Sequence, residues 1–272
     1  MSGPPPPVDW SAWWERPGRS GVLTDFDGTL SAIVEDPSRA VALPGVSAVL
    51  ASLATSLGMV AVVSGRPVAY LGDRLPGLPT VALFGLYGLE SLRDGRLEVA
   101  PAALAWQEAV SSTARRAAAE VPAGVEVERK GLAVALHFRR RPELAGLVAA
   151  WAAEAAAGTG LLAQPGRFSV GLLPPLRADK GAVVEDAAAG LDAVCFIGDD
   201  TGDLPAFAAL AKARREGKTT LAIGASSAEQ PQALAGAVDV MVEGPEGALA
   251  VLRELADGLA GGRGGRSAGA PA

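Results

Sequence analysis

The stretch Gly21-Val22-Leu23-Thr24-Asp25-Phe26-Asp27-Gly28-Thr29-Leu30 decides the fold. A short apolar run ends in two carboxylates two residues apart, followed at once by a glycine that can take the positive φ of a tight turn. A run this short, closed by a polar turn, reads as a buried strand emptying into a loop. The same form recurs at residues 60–64 and 194–199, with further strand patterns at 78–84, 219–223 and 238–242. The sheet is therefore expected to have roughly six strands. Helical patterns follow at 44–57, where Pro44 suits a first helical turn, and at 180–189, 204–212 and 246–259. Strand alternating with helix predicts an α/β fold around a parallel sheet.

Between about residues 101 and 174 the pattern changes to helix, strands, helix, strands, which predicts an inserted α+β domain. Leu132, Val134, Leu136 and Phe138 alternate on one strand face. Gly131, Ala133, Ala135 and His137 on the other are small or polar, suited to a ligand or a packed helix. The expected organisation is an N-terminal segment 1–19, largely disordered, a discontinuous core at 20–100 and 176–260, an insert at 101–175, and a disordered tail at 261–272. Within the first segment, Trp10, Trp13 and Trp14 share one helical face, which predicts a short helix clamped on the domain.

Composition narrows the function classes. The 272-residue chain carries 30 acidic and 24 basic residues, and no basic block is long enough to track a polyanion, so nucleic acid is not an expected partner. Its longest apolar stretches fall short of the roughly 18 residues a membrane span needs. A single cysteine, Cys195, excludes an internal disulfide framework, and residues 1–7 lack the features of a secretory signal. A cytoplasmic monomer acting on a small molecule is expected. Cys195 reads as strand packing, and Arg139, Arg140 and Arg141 as a solvated strand end.

The polar ends of the predicted strands carry the chemistry. Open α/β sheets bind ligands there. Gly198-Asp199-Asp200-Thr201-Gly202-Asp203 follows one strand and presents hard oxygen ligands of the kind Mg²⁺ takes, although such loops are often only solvated turns. Ser64-Gly65-Arg66-Pro67 follows another. Its hydroxyl and backbone N–H groups suit phosphate oxygens, and equally a helix cap. Lys180 opens a predicted helix and offers a point charge. A carboxylate attacks a phosphate ester poorly unless a cation offsets their mutual repulsion, so Asp25 and Asp27 need such companions.

In this order, at these strand ends, the four elements resemble the haloacid dehalogenase superfamily over about residues 21–100 and 176–257. The resemblance implies a Rossmann-like core with an inserted α+β cap domain. It implies Asp25 as nucleophile and metal ligand, and Asp27 as general acid and base that also offers its backbone carbonyl to Mg²⁺. Ser64, Gly65 and Lys180 would hold phosphate. Asp199 would be the principal metal carboxylate, supported by Asp203 or Asp200. Glu128-Arg129-Lys130-Gly131-Leu132-Ala133-Val134-Ala135-Leu136-His137-Phe138-Arg139 is similar to the cap segment of trehalose-6-phosphate phosphatases. Gly85-Leu86-Tyr87-Gly88-Leu89-Glu90 resembles that family's Gly-x-His-Gly-Leu-Glu element, with Tyr87 in place of His. The implied activity is magnesium-dependent hydrolysis of trehalose 6-phosphate through an aspartyl-phosphate. Arg66, Glu128, Lys130 and Arg167 would contact the sugar phosphate. Gly171 replaces a cap Glu usual in the family, and Gly202-Asp203 alters the metal-loop pattern. The same chemistry on another sugar or pseudodisaccharide phosphate therefore stands as the alternative, with a non-catalytic phosphosugar-binding module as the alternative of a different class.

Overall fold

Strand β1 (Ser20–Thr24) is buried along its whole length, as its unbroken apolar run requires. The computed structural model describes residues 7–34, 36, 39–166, 168–176, 178–226 and 232–266. Helix α1 (Ser11–Glu15) precedes β1, and α2 (Val46–Ala54), β2 (Met59–Val63), α3 (Val68–Arg74), β3 (Ala82–Gly85), β4 (Glu90–Arg93) and β5 (Arg96–Val99) follow it. Next come α4 (Pro101–Leu104), α5 (Gln107–Glu120), β6 (Glu126–Arg129), β7 (Val134–His137), α6 (Ala145–Thr159), β8 (Leu162–Gly166) and β9 (Ser169–Leu173). The chain ends through α7 (Lys180–Gly190), β10 (Ala193–Gly198), α8 (Leu204–Arg215), β11 (Thr219–Ser226), α9 (Gln232–Ala235), β12 (Val240–Glu243) and α10 (Gly244–Arg266). Two compact units result, residues 1–97 with 179–272, and residues 98–178.

The first unit is built on a sheet of order β12-β11-β10-β1-β2-β3-β4-β5, parallel from β12 to β3. From β1 the chain steps outward to β2 and β3, and later from β10 to β11 and β12 in the opposite direction. The carboxyl ends of β1 and β10 therefore form a topological switch point, where diverging connections leave a crevice. Side-chain alternation feeds two cores. Val22, Val60, Val62, Cys195 and Ile197 pack on one face, and Leu23, Ala61, Val63, Val194 and Phe196 on the other. The first face is covered by residues such as Leu50 and Leu53 of α2 and Leu252 and Leu255 of α10, the second by Val184 of α7 and Leu210 of α8. Each such leucine removed from water contributes about 1.5–3 kcal/mol.

The second unit carries a four-stranded sheet of order β6-β7-β9-β8. Its core joins Val134, Leu136, Phe138 and Leu172 to Val110, Ala114 and Ala117 of α5 and Val148 and Ala152 of α6. Cross-strand pairing sets Glu128 opposite Ala135, Ala135 opposite Gly171, and Gly171 opposite Gln164. Paired residues share a sheet face, so these four form one row across it.

Three expectations change. Among the described residues the sheet has eight strands, because β4 and β5 extend it past β3 with β4 antiparallel. The signal was present in Asp94-Gly95, both at positive φ, a pair that closes tight hairpins. Residues 8–19 are ordered around α1, the short helix the tryptophan spacing predicts, so the disorder expected of the segment does not extend to them: Trp10 and Trp13 are fully buried, and Trp13 donates from its indole nitrogen to the Gly21 carbonyl at 2.9 Å. The final helix continues past Gly261 to Arg266, so the expected break at 261 is absent. The disorder expected of residues 1–6 and 267–272 lies outside the described residues. Among the described residues, no helix is long and apolar enough to cross a membrane.

Candidate active site

Parallel pairing fixes the first two members. Thr24 at the end of β1 stands beside Ile197 of β10, and Asp25 N donates to the Ile197 carbonyl at 2.8 Å. Asp25 and Asp199 therefore emerge from neighbouring strands at the switch point. Gly28, at φ 80°, turns the chain back beneath Asp199, and a Cβ there would collide with the Asp199 carboxylate. Thr29 Oγ1 donates to Asp199 Oδ1 at 3.3 Å. Asp200 caps the short 3-10 turn Thr201–Asp203 by accepting from Gly202 N at 2.7 Å. Asp203 reaches back from that turn, and its Oδ2 accepts from Asp199 N at 2.8 Å and Asp200 N at 3.0 Å.

Lys180 completes the cluster. It opens α7, whose N-cap Asp179 accepts from Ala182 N at 2.9 Å. A lysine at a helix N-terminus opposes the helix dipole, so its position must be held from outside. Lys180 Nζ lies 2.8 Å from Asp25 Oδ1 and 2.6 Å from Asp203 Oδ1, and its side chain is 4% exposed. Burial works against its charge, but Asp203 and Asp25 outweigh burial and hold the ammonium well above its ordinary range.

The carboxylates are short of positive charge. Burial, with the charges of Asp203 and Asp200, pushes Asp199 up to about 8. Burial also holds Asp25 well above the usual carboxylate range, against the pull of Lys180. Oxygens of Asp25, Asp199 and Asp203 lie within 4.8 Å of one another, all three residues buried. Ionised together with a single ammonium, they leave two negative charges uncompensated. An all-oxygen donor set with this deficit fits a divalent cation.

Arg66 lies against Asp27. Its Nε donates to Asp27 Oδ2 at 2.8 Å and its Nη2 to Oδ1 at 3.2 Å, a two-pronged pair that fixes the plane of the carboxylate. The guanidinium also lies 4.7 Å from the Tyr70 ring centroid. Ser64 is buried at the end of β2, and its Oγ accepts from Arg66 N at 3.2 Å. Gly65 has the Tyr87 hydroxyl 2.7 Å from where a Cβ would stand.

In the second unit, Glu128 Oε2 accepts from His137 Nε2 at 2.8 Å and lies 3.3 Å from Lys130 Nζ. Arg167 lies outside the described residues. Cys195 is fully buried, and burial raises its thiol well above the ordinary range, so it is packing rather than a nucleophile. The sequence reading missed Thr29 although it stands in the opening motif, and it gave Tyr87 no role. No local pattern could pair Arg66 with Asp27, which are 39 residues apart.

The family described as trehalose-phosphatase matches residues 23–235. The chain is 35% identical over 204 residues to the trehalose-phosphate phosphatase of Mycobacterium marinum, covering 71% of this chain and 52% of that protein. It is 36% identical over 200 residues to the trehalose-phosphate phosphatase of Mycobacterium avium, covering 70% of this chain and 51% of that protein. The chain thus spans about half the length of the curated relatives it matches. Among solved structures, the C-terminal domain of the C. albicans trehalose-6-phosphate phosphatase matches with a TM-score of 0.72 at 21% identity, over 93% of this chain and 98% of that one. At that identity the likeness speaks for the fold.

Proposed function

The chain belongs to the trehalose-phosphatase family, and on that premise we propose that it hydrolyses trehalose 6-phosphate to trehalose and phosphate. The observation that carries the proposal is the convergence of Asp25, Lys180, Asp199 and Asp203 at the switch point. Asp25, Asp199 and Asp203 would hold Mg²⁺, helped by the Asp27 carbonyl. The bound ion would neutralise the meeting of carboxylate and phosphate.

The residues divide the reaction between them. An oxygen of Asp25 attacks phosphorus in line, forming the Asp25–phosphate bond as the bond to the sugar oxygen breaks. Asp27 delivers a proton to that oxygen, then takes one from the water that attacks the aspartyl-phosphate and frees inorganic phosphate. Arg66 aims Asp27 through its two-pronged pair, which supports a fixed angle of approach. Ser64, Gly65 and Lys180 hold the phosphoryl oxygens. Within the second unit, Glu128 and Lys130 receive sugar hydroxyls, and the reaction runs in a cytoplasmic monomer.

Gly171 favours a second reading, the same chemistry on a related sugar phosphate. It shares a sheet face with Glu128 through Ala135, so the carboxylate usual in the family is missing from that row. The test is phosphate release from a panel of sugar phosphates, with and without Mg²⁺, beside Asp25→Asn. Trehalose 6-phosphate should be turned over only with Mg²⁺, and Asp25→Asn should lose at least about 10³-fold in rate. Turnover surviving in that variant would sink the mechanism. Turnover of other sugar phosphates alone would keep the mechanism and reject the substrate. Tight sugar-phosphate binding without turnover would instead establish a binding module.

A further inference from the structure

Tyr87 has no task in the chemistry above, yet its backbone is held in an uncommon state. It sits at φ 60°, ψ 30°, after Leu86 at φ 49° and before Gly88 at φ 95°. Bulky L-residues avoid this left-handed region because Cβ crowds the following carbonyl oxygen, so two in succession need support from their surroundings. The phosphate loop supplies it. Leu86 N donates to the Arg66 carbonyl at 2.9 Å, and Tyr87 N to the Ser64 carbonyl at 3.0 Å. Close packing of Gly88 on Val183 of α7, the helix that Lys180 opens, gives further support.

This turn aims the ring. The Tyr87 hydroxyl and Cζ lie 2.7 and 2.8 Å from where Gly65 would carry a Cβ, so a side chain at 65 would displace the phenol. Lys180, Asp200, Asp25 and Asp203 are all within electrostatic reach of that hydroxyl. Among the described residues, nothing hydrogen-bonds it. A half-buried donor without a partner thus stands over the glycine of the phosphate loop, near the carboxylate and ammonium of the site. Strain kept at such a place points to use.

We propose that Tyr87 is a phosphoryl-binding residue, its hydroxyl donating a hydrogen bond to a non-bridging oxygen of the group held by Ser64, Gly65 and Lys180. The inference rests on the phosphatase reading of the same site. Burial raises the phenol above its ordinary range, so it remains a donor at neutral pH. A histidine would bring a titration near pH 6.5 to the same point.

Tyr87→Phe keeps the ring over Gly65 and removes only the hydroxyl. Calorimetric titration of the Mg²⁺-loaded protein with inorganic phosphate should show affinity falling about 10-fold in this variant, with an unchanged thermal midpoint. KM for the sugar phosphate should rise in step. Unchanged phosphate affinity in Tyr87→Phe overturns the inference and leaves the ring as packing. If Tyr87→Phe fails to fold, Tyr87→His, which retains a donor, decides. It should bind phosphate within about 3-fold of wild type below the imidazole's titration range, and its affinity relative to wild type should fall as pH rises through that range. A Tyr87→His affinity that stays about 10-fold below wild type at every pH overturns the proposal. Wild-type protein that binds no phosphate overturns it outright. Phosphate binding without turnover of any sugar phosphate overturns the phosphatase reading alone.

Discussion

The charged groups of the two units are held differently. Around Asp25 they are sunk out of water and braced against one another, with Lys180 bridging Asp25 and Asp203 at 2.8 and 2.6 Å. In the second unit Glu128 is 32% exposed and His137 24% exposed, beside a row in which Ala135 and Gly171 bear almost no side chain. Bond-making needs charges that are fixed before the substrate arrives and undiluted by water, since reorganisation then costs nothing at the transition state. Hydroxyl recognition tolerates looser groups, and one can be lost without disturbing its neighbours. On the proposed function, the first arrangement would fix a chemistry and the second would leave a specificity free to change.

The hardest blow to this contrast falls on Lys180. Lys180→Met would strand Asp25 and Asp203 without their shared cation. Denaturant unfolding of the metal-free protein should show a loss of about 3–5 kcal/mol. Phosphate release should fall at least about 10²-fold. Wild-type stability in that variant would mean that the buried groups are no more coupled than those of the second unit.

A weaker perturbation is pH. The Asp199 carboxyl, ordinarily at 3.8, is raised to about 8, so between those values the folded, metal-free chain holds a proton that the unfolded chain has lost. Stability from this group is complete below 3.8 and drains away as pH rises through about 8. Asp25 shifts in the same direction. The metal-free thermal midpoint should therefore fall between about pH 6 and about pH 9. Mg²⁺ should restore it most at the alkaline end, where fewer protons compete for the carboxylates. A metal-free midpoint that climbs across this window would break the reading.

The smallest expected effect lies in the second unit. Glu128→Gln removes a charge but keeps the shape, and should raise KM for the favoured sugar phosphate about 5- to 10-fold. Its kcat and thermal midpoint should stay near wild type. An equal fall in kcat would show that the two units do not divide chemistry from recognition in this way.

Legibility followed the range of the interactions. The strands leading to Asp25, Ser64 and Asp199 were readable because burial on both faces leaves a continuous apolar run, and each run stops where a charged loop begins. The β4–β5 hairpin was harder, because only its Asp94-Gly95 turn speaks strongly and its strands are short and exposed. The short helix at Ser11–Glu15 was legible in the tryptophan spacing. Its seat on α10 was not, because the Trp14 indole donates to the Leu255 carbonyl 241 residues away in the chain.

By itself the sequence determined the alternation of strand and helix, the carboxylates at strand ends, and the family to which they point. These are written in short periods and local turn chemistry. Tertiary structure decided which groups meet: Arg66 on Asp27, Lys180 between Asp25 and Asp203, and the Tyr87 hydroxyl over Gly65. Those pairs join residues far apart in the chain, and parallel strand order and a strained turn bring them within hydrogen-bond or packing distance. No local pattern encodes such a meeting, because its energy comes from pairing buried charges or packing a ring only after the sheet has formed.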